Sequence, residues 1–196
     1  ALQRCGIRQC VFPRQFSKEA VEQFARRGIQ PTEDTALRRG AAAQIACCAM
    51  RRQEIVSEHA VAALCASRVT GEYARTAEVL CRSVRYLCLC TRSGGWELSR
   101  QLRARLGVAA TVEAEPVCTR NADIVLCFDA AYDLSGARGV ILPLCTPQLR
   151  VTYALPQGIA AGEADETQLL AALYASLAVR AEELNVAAAE FAESEA

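Results

Sequence analysis

Residues 84–128 constrain the fold more than any other part of the chain. They run VRYLCLCT, RSGGWELSRQLRARLG and VAATVEAE, then, after a polar gap, ADIVLCFD. The first and last of these are continuous apolar runs: Val84, Tyr86, Leu87, Cys88, Leu89 and Cys90 in one, Ile124 to Phe128 in the other. Neither alternates, and short unbroken apolar runs suit strands covered on both faces, as in a parallel sheet. Between them Leu98, Leu102 and Leu106 share one helix face, with Arg100, Arg103 and Arg105 opposite. Gly107 supplies a left-handed stop. Strand, crossover helix and strand make a βαβ unit.

The pattern occurs once before. Leu64-Cys65-Ala66 leads into Thr70-Gly71-Glu72 much as Leu89-Cys90-Thr91 leads into Gly94-Gly95-Trp96-Glu97. In the first copy Thr70 is an N-cap, and Tyr73, Ala77 and Leu80 share a face. Two consecutive βα units are expected, with 61–66 as the first strand.

Elsewhere the signals are local. CGIRQCVF (5–12) reads as a short strand ended by Pro13, and Ser17 caps a helix that runs through Arg27 to Gly28. Alanine content argues for helix over 34–52, weakened at Gly40, with a short buried strand at 41–49 as the alternative. GVILPLC (139–145) is another apolar segment. LRVTYAL (149–155) alternates and reads as an edge strand of the same sheet. Asp165 or Thr167 starts a helix over 166–178 with Leu169, Leu170, Leu173, Tyr174 and Leu177 on its buried side. Residues 181–191 form a short helix or a terminal strand.

A chain of 196 residues with 52% apolar side chains is expected to form a single α/β domain over 1–196, with 84–128 as its core and 159–196 as an acidic helical segment. The fold class is a three-layer Rossmann-like sandwich with a mostly parallel sheet of five or six strands. No apolar run approaches the ~18–20 residues that span a bilayer, and Ala1–Cys5 lacks the apolar core of a signal peptide. A soluble cytoplasmic protein is expected, with no membrane partner.

The eleven cysteines do not read as a disulfide framework. Their number is odd, and Cys65, Cys88, Cys90 and Cys127 sit inside apolar runs, where they act as small reduced core residues. There is no C-x-x-C, and His59 is the sole histidine. No metal is expected unless thiolates from distant segments converge.

Net charge is zero but uneven. Residues 159–196 oppose one cation, Arg180, to Glu163, Asp165, Glu166, Glu182, Glu183 and further acids, so the body before them is basic. Lys18 is the only lysine, a bias that a GC-rich bacterial genome produces. No basic run or aromatic-studded strand points to nucleic acid. The acidic segment suits docking onto an arginine-rich body, within one chain or by self-association.

In open α/β sheets ligands collect beyond the carboxyl ends of the strands. That rule selects Arg68 and Thr70 after the first strand, Thr91, Arg92, Ser93, Gly94 and Gly95 after the second, and Asp129 after the strand at 124–128. Adjacent glycines at a helix start let backbone N–H groups approach an anion, although neither a dinucleotide fingerprint nor a Walker lysine accompanies them. Alternatively the glycines only allow a tight turn. Trp96 is expected to pack, Asp123 to serve a turn at the opposite end, and Glu58-His59 to lie on a solvated cap. With no catalytic constellation and no cofactor assigned, the expected function is a non-catalytic binding or regulatory module. The alternative is a nucleotide- or phosphometabolite-binding protein, enzyme or not, that uses the 91–95 loop.

Overall fold

The structure is a computed structural model that describes residues 7–191. In chain order its elements are β1 (Gln9–Cys10), α1 (Lys18–Arg26), β2 (Gln30–Pro31), α2 (Thr35–Gly40), α3 (Ala42–Arg52) and β3 (Val61–Ala66). There follow α4 (Gly71–Leu80), β4 (Tyr86–Thr91), α5 (Gly95–Leu106), β5 (Thr111–Glu113), β6 (Ile124–Cys127) and β7 (Val140–Pro143). Last come β8 (Leu149–Ala154), α6 (Glu166–Ala175) and β9 (Asn185–Phe191). Two compact units separate: the segment through Leu37 with Thr152–Asn185, and Arg38–Val151 with the strand residues from Val186.

In the first unit, β1 pairs in parallel with β2. The expected strand over 5–12 is reduced to two residues there, and its first two positions lie outside the described residues. Ser17 caps α1 by accepting from the Ala20 N–H at 3.3 Å, and Gly28 follows at φ 75°. Phe24 of α1 meets Phe12 and Phe16 with ring centroids 5.4 and 6.1 Å away. Asp165 caps α6 at Gln168 N, 2.9 Å, and Arg14 pairs with Glu166 at 2.7 Å. The helix expected to reach 178 stops at Ala175. Leu177 takes a left-handed φ of 61° in the role usually given to glycine and is 85% exposed, so it is not on the buried side.

The second unit holds a five-stranded sheet in the order β5-β4-β3-β6-β7, every pair parallel. This is the Rossmann-like sheet that the apolar runs imply. β3 lies between β4 and β6, so the two runs flanking α5 share a layer without touching. The repeat seen in the sequence is a register: Leu64, Cys65 and Ala66 pair with Leu89, Cys90 and Thr91. LRVTYAL does alternate buried and exposed residues as β8, but it pairs with β9 in a separate two-stranded sheet. Residues 34–52 are two helices, α2 and α3, that meet at Gly40-Ala41, with no strand at 41–49.

Paired residues in a parallel sheet present the same face, and successive residues alternate. One face therefore carries Ala62, Leu64, Leu87, Leu89, Ile124 and Leu126, each 3% exposed or less. Tyr73 of α4 docks there, donating its hydroxyl to the Leu64 carbonyl at 2.9 Å. The other face carries Ala63, Cys65, Cys88, Cys90, Val125 and Cys127. It packs against Cys118, Tyr132, Leu134 and Ala137, from the 3-10 turn Pro116–Arg120 and the loop after β6. No helix among the described residues is long and apolar enough to cross a membrane.

Candidate functional site

The strand order reverses between β3 and β6, and in such sheets the crevice at the reversal is where ligands sit. The eight residues selected from the sequence all fall on the carboxyl rim of β3, β4 and β6. Two backbone and side-chain ties hold their loops together. Val69 donates its N–H to the Ser93 carbonyl at 3.0 Å, fastening the loop after β3 to the loop after β4. Ser67 donates its N–H and its hydroxyl to Asp129 Oδ2, at 2.8 and 2.6 Å, which bridges β3 to β6 across the reversal.

Arg68 and Arg92 are exposed on this rim. Arg92 lies over the Tyr132 ring at 5.2 Å from its centroid, a cation–π contact that orients the guanidinium. Thr70 caps α4 by accepting from Tyr73 N at 3.3 Å, so its hydroxyl is engaged. Thr91 is buried, and its hydroxyl donates to the Ser93 carbonyl at 3.1 Å, which shapes the turn from within.

The glycines serve packing and backbone geometry. Gly94 has φ 86°, and a Cβ there would lie 3.1 Å from Val69 Cβ. A Cβ on Gly95 would lie 2.7 Å from Thr91 Cγ2 and 2.8 Å from Val112 Cγ1. The adjacent pair thus lets α5 start hard against β4 and β5, which accounts for it without a bound anion. Trp96 follows on the solvent side of α5, opposite Leu98 and Leu102. It is 72% exposed, not packed as expected.

Asp129 is half-buried. Burial pushes its carboxyl up, but the bonds from Ser67 and from the Ala131 N–H, with the nearby Arg39 charge, outweigh that and hold it below its ordinary value. It stays an anion, suited to accept from a ligand hydroxyl and unsuited to take protons near neutrality.

The amino ends of the strands carry a different constellation. Asp123 Oδ2 accepts from Val61 N at 2.8 Å and its carbonyl from Val140 N at 2.9 Å, so it ties the starts of β3, β6 and β7. A cleft of about 800 Å3 opens beside it, lined by Arg120, Asn121, Arg138, Gln53 and Ile55 among others. His59 is exposed in a 3-10 turn just before β3, at this end and away from the rim.

Sequence reasoning named the core cysteines but not their arrangement. Register places Glu113, Cys90, Cys65 and Cys127 in one row across the sheet, and Cys88 lies in the neighbouring row of the same face. Cys118 of the 3-10 turn closes over them, its N–H donating to Glu113 Oε2 at 2.8 Å. One ligand atom from each of Cys88, Glu113 and Cys118 lies within 4.8 Å of the others. The Cys118 and then the Cys65 thiol beside it, with the Arg92 charge adding to them, hold the Cys90 thiol below its usual range against the cost of burial. Cys118 is pushed up by Cys88 and then Cys90 beside it, and Cys65 by Cys90, with burial adding to both. Burial is the main cause that raises Cys127 to about 12. The one signal available in the sequence was Cys88-x-Cys90, two thiols on one strand face. The partners Glu113 and Cys118 follow from register alone.

Set against models of protein families, curated proteins and solved structures, the chain matches none.

Proposed function

We propose that the five-stranded unit is a non-catalytic binding module whose ligand is a phosphorylated metabolite or nucleotide, held over the carboxyl ends of β3 and β4. The Val69–Ser93 tie carries this reading: it fastens together the loops that bear the exposed residues Arg68 and Arg92, next to the place where the strand order reverses. Arginine recognises phosphate bidentately, and the Tyr132 stack holds Arg92 without consuming its donors. Across the reversal, Asp129 Oδ1 makes a single described hydrogen bond, to Ala131 N, and so keeps lone-pair capacity for a sugar hydroxyl.

Turnover does not enter this reading. The sole histidine lies at the other end of β3, and the rim carboxylate is held too acidic to serve as a base near neutrality.

Calorimetric titration of the full chain with pyrophosphate and with purine nucleoside diphosphates tests the assignment. Arg92→Ala and Arg68→Ala are expected to weaken binding at least tenfold, and Arg138→Ala to leave it unchanged. Absence of heat with every ligand, or loss of binding in Arg138→Ala alone, overturns it; the second result moves the site to the amino-end cleft.

A further inference from the structure

We propose that Cys88, Cys90, Glu113 and Cys118 form a binding site for one thiophilic divalent cation of the zinc class. The sequence expectation was that no metal is held, and this inference does not depend on the ligand assigned to the rim.

Three observations carry it. First, ligand atoms of Cys88, Glu113 and Cys118 converge within 4.8 Å of one another, from a central strand, an adjoining strand and the turn that covers them. Tetrahedral zinc with sulfur at about 2.3 Å needs ligand atoms about 3.8 Å apart, so closure requires side-chain adjustment of ~1 Å at most. Second, a further sulfur is beside them. Cys90 is two residues from Cys88 on the same strand face, pairs across the sheet with Glu113, and belongs to the buried cluster that Cys118 packs against. Its sulfur lies outside the 4.8 Å group, and rotation of the Cys90 side chain toward it would make three sulfurs and one carboxylate oxygen a closed four-coordinate set of the structural kind.

Third, the surroundings suit a cation. Cys88 is 4% exposed and Cys90 fully buried, and Glu113 and Cys118 are half-buried, so water has little access to the sulfurs. The Cys118 N–H fixes the Glu113 carboxylate at 2.8 Å, the sort of outer hydrogen bond that orients a metal ligand. Binding displaces the protons of the thiols that still hold them to bulk water and leaves three S–metal bonds and one O–metal bond, with no redox change. The mix of thiolate with one carboxylate favours Zn2+ over Cu+, which prefers sulfur alone.

The test uses the full chain, reduced and stripped with a chelator, then titrated with Co2+ and back-titrated with Zn2+. The expected result is one equivalent of Co2+ with the thiolate-to-cobalt charge-transfer band and the intense d–d bands of a tetrahedral site, displaced by one equivalent of Zn2+. Cys88→Ser and Cys118→Ser should abolish the charge-transfer band. Glu113→Gln keeps an acceptor for the Cys118 N–H and so preserves the fold. It should weaken Co2+ at least tenfold while leaving the metal-free melting temperature unchanged. Cys47→Ser and Cys48→Ser should leave every spectrum as it was. A missing band, a band that survives in Cys88→Ser or Cys118→Ser, one that depends on Cys47 or Cys48, or a Cys88–Cys118 disulfide recovered from the reduced protein, would overturn the proposal.

Discussion

One oxygen of Asp129 accepts both the backbone N–H and the hydroxyl of Ser67, the residue that follows β3. The carboxylate thereby staples the two strands between which the sheet changes direction, at the end where a ligand would enter. Between β3 and β4 at this end the tie is the backbone bond from Val69 to Ser93.

Removing that staple should cost stability in a pH-dependent way. Asp129→Ala deletes three charge-assisted acceptor bonds, and we expect a loss of about 1–2 kcal/mol at neutral pH after allowing for partial exposure. Because the folded-state value lies below the unfolded one, this stabilisation is complete above the ordinary carboxylate range near ~3.9 and is lost as pH falls through the folded value. Urea midpoints of wild type and variant should differ at pH 7 and converge in acid; a gap that persists in acid would show that the charge is not the cause.

Glycine substitutions at both ends of the sheet report on folding and not on a ligand. Gly95→Ala sets a methyl against Thr91 and Val112 and should destabilise by about 1–3 kcal/mol. Gly139→Ala is harsher, because its methyl meets the carbonyl oxygens of Ala122 and Asp123, backbone atoms that cannot move without disturbing the start of β6. We expect about 3 kcal/mol or more there, read as poor expression or an early melting transition. Gly71→Ala, where a Cβ meets nothing, is the control and should be close to neutral.

Arg38 is 3% exposed, and its Nη1 donates to the carbonyls of Thr146 and Leu149. Arg38→Met removes donors from the buried Leu149 carbonyl and the half-buried Thr146 carbonyl, so chemical denaturation should show a loss of about 2–4 kcal/mol. Arg38→Lys should recover only part of it, since one ammonium cannot reproduce the guanidinium fork.

Tyr73→Phe isolates a single buried hydrogen bond. The ring would keep its contact with Phe128, whose centroid is 5.2 Å away, while the Leu64 carbonyl loses its extra donor. A loss of about 1–2 kcal/mol is expected in equilibrium unfolding, with little change in the denaturant slope.

What the sequence conveyed was whatever depends on neighbours along the chain. Ser17 and Thr70 cap the helices they were expected to cap, Asp165 rather than Thr167 caps α6, and Gly107 ends α5 at φ 71°. The Leu64-Cys65 and Leu89-Cys90 echo proved to be the pairing of β3 with β4, because two similar βα units laid side by side bring like residues opposite. What it withheld depends on partners distant in the chain. Alternation in LRVTYAL marks a strand with one buried face but cannot say which sheet that strand joins. Trp96 and Leu177 looked like core residues by type, yet one faces outward from α5 and the other terminates α6. Gly94-Gly95 read either as a phosphate cradle or as a tight turn, and the closeness of Val69, Thr91 and Val112 explains the pair by packing alone. Glu113 comes beside Cys90 only through the pairing of β5 with β4, which nothing local in the chain announces.

The position of Trp96 has an optical consequence. The protein's single indole stands in water on the first turn of α5, beside the rim arginine loop. Its emission should therefore be red-shifted already in the native state and change little on denaturation, so it is a poor gauge of folding. A blue shift or a quench during titration, in contrast, would report directly that something has settled on that rim, and the wild-type chain needs no added label to show it.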